Sequence, residues 1–124
     1  MHRPAARGFT MLEILIVAVI LAIVMIIALP RFRTTAERSR QVEAEDNLQA
    51  IRNAQIRYFQ DSGAYTTDTS KLGLDVWPSG WYLYCIKSAD ASNFEAVATP
   101  NSGTNPSVGI RKDGSIYTPT STCP

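Results

Sequence analysis

Histidine is almost missing from this 124-residue sequence: the single copy is His2, so nothing downstream supplies an imidazole base or metal ligand. Only two cysteines occur, Cys85 and Cys123, and their separation lies far outside Cys-x-x-Cys spacing, which argues against zinc or dithiol redox chemistry. No glycine-rich phosphate loop and no nucleophile beside a base is visible. These absences describe a chain with no enzymatic role and no cofactor. A dominant charge is lacking too. Twelve Lys and Arg against eleven Asp and Glu give a formal charge of +1 and a pI near 7.8, where an extended nucleic-acid-binding surface needs a markedly basic domain.

One stretch lacks polarity almost completely. Residues 9–29 (FTMLEILIVAVILAIVMIIAL) contain one ionisable group, Glu13, and residues 14–29 are apolar without interruption. About 21 residues at roughly 1.5 Å each suffice to cross a hydrocarbon core of about 30 Å. The twelve Leu, Ile and Val residues of 14–29 favour insertion by roughly 4–7 kcal/mol in sum, whereas one charge near the end of the span costs at most about 3 kcal/mol. Insertion is therefore expected despite the glutamate. The preceding MHRPAARG carries Arg3 and Arg7 but no apolar core of its own, unlike a secretory signal, and ALPRF rather than a small-x-small cleavage site follows the run.

The junction Gly8-Phe9-Thr10-Met11-Leu12-Glu13 resembles that of the type IV pilin family and its pseudopilin relatives. The resemblance is specific over residues 8–30 and general beyond. It implies cleavage by a prepilin peptidase between Gly8 and Phe9 and methylation of the new terminal amine of Phe9. Residues 1–8 would be a leader, 9–29 a transmembrane and assembly segment, and 30–124 a head that includes the second half of the first helix. Glu13 falls fifth in such a mature chain, where the family places a glutamate that attracts the terminal amine of a neighbouring subunit. The bland alternative is a membrane-edge carboxylate that snorkels or stays protonated. Pro30 falls twenty-second, another recurrent family position, where a missing backbone donor bends or loosens a helix. Cleavage would remove Arg3 and Arg7 and take the formal side-chain charge from +1 to −1.

Beyond Pro30 the helical pattern resumes. Residues 35–60 contain neither Gly nor Pro, and Ala44, Leu48, Ile51, Gln55 and Tyr58 recur at helical steps opposite a charged face of Arg38, Glu43, Glu45, Asp46 and Arg52. One long helix over about 10–61 is expected, stopped at Ser62-Gly63. Residues 63–80 have a loop's composition. Running from the helix end into this loop, Tyr58, Gly63, Tyr65 and Leu72 loosely resemble a pilin pattern in which Tyr65 and Leu72 fill the gap between helix and sheet. After Gly80 the period becomes two: strands are expected over 81–87 (WYLYCIK), 94–99 (FEAVAT), 108–111 and 115–118, the last two joined by Lys112-Asp113-Gly114, whose Asp-Gly signals a two-residue hairpin. The fold class is α+β, with a small antiparallel sheet of three to four strands packed on the amphipathic half of one long helix.

By the same resemblance Cys85 and Cys123 form a disulfide that ties down the tail; two free buried thiols are the alternative. Closing a loop of that length stabilises by roughly 4 kcal/mol in the chain-entropy model. Arg31, Arg33, Arg38 and Arg40 form a basic run that faces solvent, lipid phosphates, or the Glu43, Glu45 and Asp46 run of a neighbouring subunit. Trp77, Trp81, Tyr82, Tyr84 and Tyr117 read as core and cross-strand pairs before they read as a binding platform.

The resemblance implies a structural subunit that waits in the inner membrane, its amino terminus cytoplasmic, before entering a helical filament of identical subunits at the cell surface. Its implied partners are prepilin peptidase, an assembly platform and its ATPase, and membrane lipid, with nucleic acid disfavoured. The alternatives are a pseudopilin of a type II secretion or DNA-uptake system, and a single-pass anchored binding module. The carboxyl-terminal calcium loop of major pseudopilins is missing from this sequence, which favours the pilus subunit.

Overall fold

The computed structural model describes residues 7–74, 80–102 and 105–124, so Trp77, His2 and Arg3 lie outside the described residues. Two compact units divide between Ala36 and Glu37.

The helix α1, Met11–Ser62, runs through both units for 52 residues. Thr10 opens it: the Glu13 amide donates to Thr10 Oγ1 at 3.2 Å, and the Thr10 amide makes a longer contact of 3.5 Å with Glu13 Oε2. This reciprocal pair is a capping box, which satisfies two of the amide donors that a helix start leaves over. In the first unit no described residue covers the apolar side chains. Exposure is 49% at Ile16, 53% at Leu21 and 74% at Ile26, and the segment is long and apolar enough to cross a membrane. The helix continues through Pro30, which has no N–H, so the Ile26 carbonyl lacks its usual donor. One turn on, the hydroxyls of Thr34 and Thr35 donate to the carbonyls of Pro30 and Arg31 at 3.1 and 3.0 Å.

The second unit is the head. Here α1 buries Ala44, Leu48, Ile51, Ala54 and Gln55, and Gly63, at φ 77°, ends it by donating its amide to Phe59 O at 2.8 Å. The connecting stretch is less irregular than its composition suggests: Asp68 caps a short 3₁₀ helix, Thr69–Leu72, which buries Leu72. Tyr65 fills the gap between helix and sheet, its ring 4.7 Å from that of Phe59 and 5.0 Å from that of Phe94.

Four strands follow, β1 (Tyr82–Ala89), β2 (Phe94–Pro100), β3 (Val108–Arg111) and β4 (Ile116–Tyr117), in one antiparallel sheet of order β1-β2-β3-β4. The two-residue period places Tyr82, Tyr84, Ile86, Phe94, Ala96, Ala98, Val108 and Ile110 on the inner face, all buried against α1. Small Ala96 and Ala98 sit opposite Ile86 and Tyr84 on β1 and Ile110 and Val108 on β3, leaving room for the helix. Register shifts between Ile86 and Ser88, a bulge that leaves Lys87 as the extra residue.

The β3–β4 turn corrects the two-residue expectation. Arg111 N donates to Ser115 O and Gly114 N to Arg111 O, so three residues, Lys112 to Gly114, form the loop. Only Gly114 has positive φ, at 86°. A two-residue turn of the favoured type needs φ > 0 at both central residues, which Asp113 does not adopt; a three-residue loop asks it of the glycine alone.

Candidate assembly site and the strapped head

Phe9 is 80% exposed and Glu13 is exposed beside it, so the structure sets the junction residues Gly8 and Phe9 on exposed backbone ahead of the helix and the carboxylate within its first turn. Within the single chain Glu13 is held by Thr10 alone among the described hydrogen bonds. The capping box was legible as Thr-x-x-Glu ahead of an apolar run, a signal the sequence reading passed over in favour of the glutamate itself.

In the head, Cys85 of β1 is joined to Cys123 with an S–S distance of 2.10 Å across a separation of 38 residues. The bond fastens a strap. From β4 at one edge, residues 117–123 cross the outer face of the sheet to β1 at the other. Tyr117 lies over Gly109 on β3, so close that a Cβ there would meet its ring carbon Cζ at 2.5 Å. The Tyr117 hydroxyl donates to Glu95 on β2, and the Arg111 guanidinium sits 4.3 Å over the ring. Burial, with the Glu95 acceptor second, holds the Tyr117 phenol above its ordinary range. Further along, Lys87 Nζ donates to Ser121 Oγ, and Cys123 N donates to Thr99 Oγ1 at 3.0 Å. Val97, an outward-facing residue, is fully buried under this cover.

Polar side chains of α1 tie the helix to the rest of the head. Gln55, 0% exposed, donates Nε2 to Thr66 O and accepts from Thr66 N at 3.1 Å, pairing with the connecting stretch as a strand would. Asn47 donates to the Tyr84 hydroxyl at 2.9 Å, and Arg52 Nε to Lys112 O at 2.9 Å. Arg40 stacks on Trp81 with its guanidinium carbon 3.6 Å from the ring centroid. The aromatics weighed as a platform are thus divided: Tyr82 and Tyr84 are core, Tyr117 is under Arg111, and Trp81 is half exposed beneath Arg40.

Three turns share one construction that the sequence reading missed. Asp68, Asp90 and Asp113 each accept hydrogen bonds from the amide and hydroxyl of the serine two residues on, the spelling Asp-x-Ser occurring at 68–70, 90–92 and 113–115. These bonds, the serine hydroxyl's first, hold all three carboxyls below their ordinary 3.8.

Residues 3–29 match a family model described as the prokaryotic N-terminal methylation motif. Over 103 residues the chain is 30% identical to the fimbrial protein EcpC of Eikenella corrodens, covering 82% of this chain and 67% of that one. It is 35% identical over 86 residues to the type IV major pilin PilA of Myxococcus xanthus, covering 69% of this chain but only 39% of that longer pilin. The fold is similar to that of the non-core minor pilin PilV of Neisseria meningitidis, with a TM-score of 0.58 at 22% identity over 73% of this chain and 95% of the other. An uncovered apolar helix start behind a methylation motif, a sheet-and-helix head, and a fimbrial relative matched over most of both chains lead to one conclusion: this chain belongs to the type IV pilin family.

Proposed function

We propose that the chain is a structural, non-enzymatic subunit of a type IV pilus-like filament, cut between Gly8 and Phe9 by prepilin peptidase and methylated on Phe9. The observation that carries this reading is the apolar half of α1, whose side chains are exposed along its length, with nothing among the described residues to cover them. Lipid covers them before assembly and other copies of the same helix cover them afterwards. The subunit waits in the inner membrane with its amino terminus in the cytoplasm, and the platform and ATPase of the assembly machinery draw it into the filament.

Glu13 supplies the difference between the two states. Among the described hydrogen bonds its carboxylate has one, the long 3.5 Å contact from the Thr10 amide that forms half of the cap. In the filament, the charged amine of Phe9 from another copy neutralises it, an ion pair in place of a long contact with an uncharged amide. Glu13→Ala leaves that amine buried without a partner, which costs several kcal/mol.

The test compares shear-released filaments with membrane-retained subunit in cells producing wild type or Glu13→Ala alone, with the intact mass of the retained subunit measured alongside. A mature chain beginning at methylated Phe9, with filaments lost and membrane retention kept in the variant, is the expected result. Wild-type filament yield from Glu13→Ala sinks the pairing. A subunit still beginning at Met1 sinks the processing.

A further inference from the structure

Directly beyond the apolar run, residues 30–36 (PRFRTTA) carry Arg31 and Arg33 and no carboxylate. Counting on to residue 40 brings in Arg38, Arg40 and a single acid, Glu37, so four arginines against one glutamate leave a formal charge of +3. The cations are in excess whatever Glu37 pairs with.

Their depth determines what they meet. Residues 9–29 extend about 31 Å as a helix, which matches a hydrocarbon core of about 30 Å. The polar headgroup layer adds roughly 5–7 Å on each side. Arg31 and Arg33 come two and four residues after Leu29, about 3 and 6 Å further along the helix, so both fall within that layer. Phe32 between them is 73% exposed, and the same turn therefore offers lipid an apolar ring and two cations.

One face of this turn is shaped. Arg31, Thr34 and Thr35, neighbours at helical spacing, line an open groove of about 420 Å³ together with Pro30. The hydroxyls of Thr34 and Thr35 donate their protons to the carbonyls of Pro30 and Arg31. Two backbone oxygens that would repel a phosphate are thereby screened, and the hydroxyl oxygens remain as acceptors. The groove thus combines a planar fork of N–H donors with two acceptors. Its complement is a phosphodiester that carries hydroxyl donors of its own. At about 30 Å³ for each water-sized group, there is room for a headgroup of about ten heavy atoms.

We propose that this groove seats the headgroup of an anionic phospholipid. The phosphate takes the Arg31 fork, Arg33 adds its charge, and headgroup hydroxyls donate to Thr34 and Thr35 Oγ1. Arginine matches phosphate with two parallel hydrogen bonds, and basic residues beside a span enrich anionic lipid around it. This rests on the reading of the chain as a subunit that waits in the membrane, and it adds the lipid that holds the span at its depth.

The experiment purifies the membrane-retained subunit in detergent doped with equal amounts of phosphatidylglycerol and phosphatidylcholine. Native mass spectrometry then counts the lipids it keeps. Wild type keeps phosphatidylglycerol over phosphatidylcholine by about tenfold, R31Q/R33Q keeps the two equally, and T34V/T35V falls to about threefold. R38Q/R40Q, whose substitutions lie in the second unit, stays near wild type. Protease resistance of each head, with the Cys85–Cys123 bond formed, shows that every variant folds. Millimolar inorganic phosphate leaves wild-type retention unchanged, because it has no acyl chains to hold it at this depth. Displacement by it indicates a free-anion site and overturns the lipid as occupant. Equal retention of the two lipids by wild type overturns the proposal, as does a preference that survives R31Q/R33Q or is lost in R38Q/R40Q. An undiminished preference in T34V/T35V overturns the groove as its seat. A chain that carbonate washing strips from the membrane overturns the membrane reading and this site with it.

Discussion

Gln55 stands on the helix face that its neighbours fill with Ala, Leu and Ile, yet it is buried as completely as Leu48 and Ile51. Its amide is tolerated there because both ends are occupied by one backbone, that of Thr66. Gln55→Leu keeps the volume but strands the Thr66 N–H and C=O, and should destabilise the head by about 1–3 kcal/mol, checked by denaturant unfolding. The sequence pattern admitted Gln55 to the stripe by spacing and was silent about its partner, since the pairing depends on where the chain returns eleven residues later. At Asp68, Asp90 and Asp113 the folded carboxyls titrate below 3.8. Their turns therefore contribute fully above that value, and the contribution is lost as pH falls through the lower folded values. The D68N/D90N/D113N variant keeps an oxygen acceptor at each turn and should show a flatter fall in melting temperature on acidification than wild type. Parallel acid limbs in the two proteins would place the acid sensitivity elsewhere.

At the scale of elements, α1 and the sheet were legible because their periods are long and clean: an apolar run, a three-four stripe, then alternation after Gly80. The strand count and the antiparallel arrangement follow that reading, and the 3₁₀ helix and the three-residue β3–β4 loop depart from it. Both departures arise from local hydrogen bonding by Asp68 and from the φ of Gly114, which composition does not disclose. The strap was least legible, because residues 117–123 have no period and their place is set by Gly109, Glu95, Thr99 and Cys85 on three different strands. Cys123→Ser releases its far end. In the chain-entropy model a loop of this size contributes about 4 kcal/mol, so the variant should lose a few kcal/mol and the β2 amides around Val97 should lose protection first, read by hydrogen exchange. Unchanged exchange on β2 would show that Tyr117 and Ser121 hold the strap without the bond.

For the whole molecule, the division between Ala36 and Glu37 separates a surface that needs a surrounding from a core that does not. Every buried hydrophobic residue of the described chain, from Ala44 to Ile110, belongs to the second unit. A fragment of residues 37–124, exported to an oxidising compartment, should therefore fold, melt cooperatively and remain monomeric by size-exclusion chromatography with multi-angle scattering. Aggregation or a non-cooperative melt would mean that the head depends on the apolar half of α1 for more than tethering. Family membership was legible from about twenty residues at the start, whereas the strap and the Asp-x-Ser turns of the head required the placement of residues that share no period.

The bond between Cys85 and Cys123 also imposes an order on biosynthesis. Cys123 follows β4, so its sulfur cannot reach Cys85 until all four strands have been synthesised and the strap has been laid across them. Oxidation of this pair consequently marks a head in which every strand of the sheet has been made, and a chain arrested before residue 123 carries Cys85 as a free thiol.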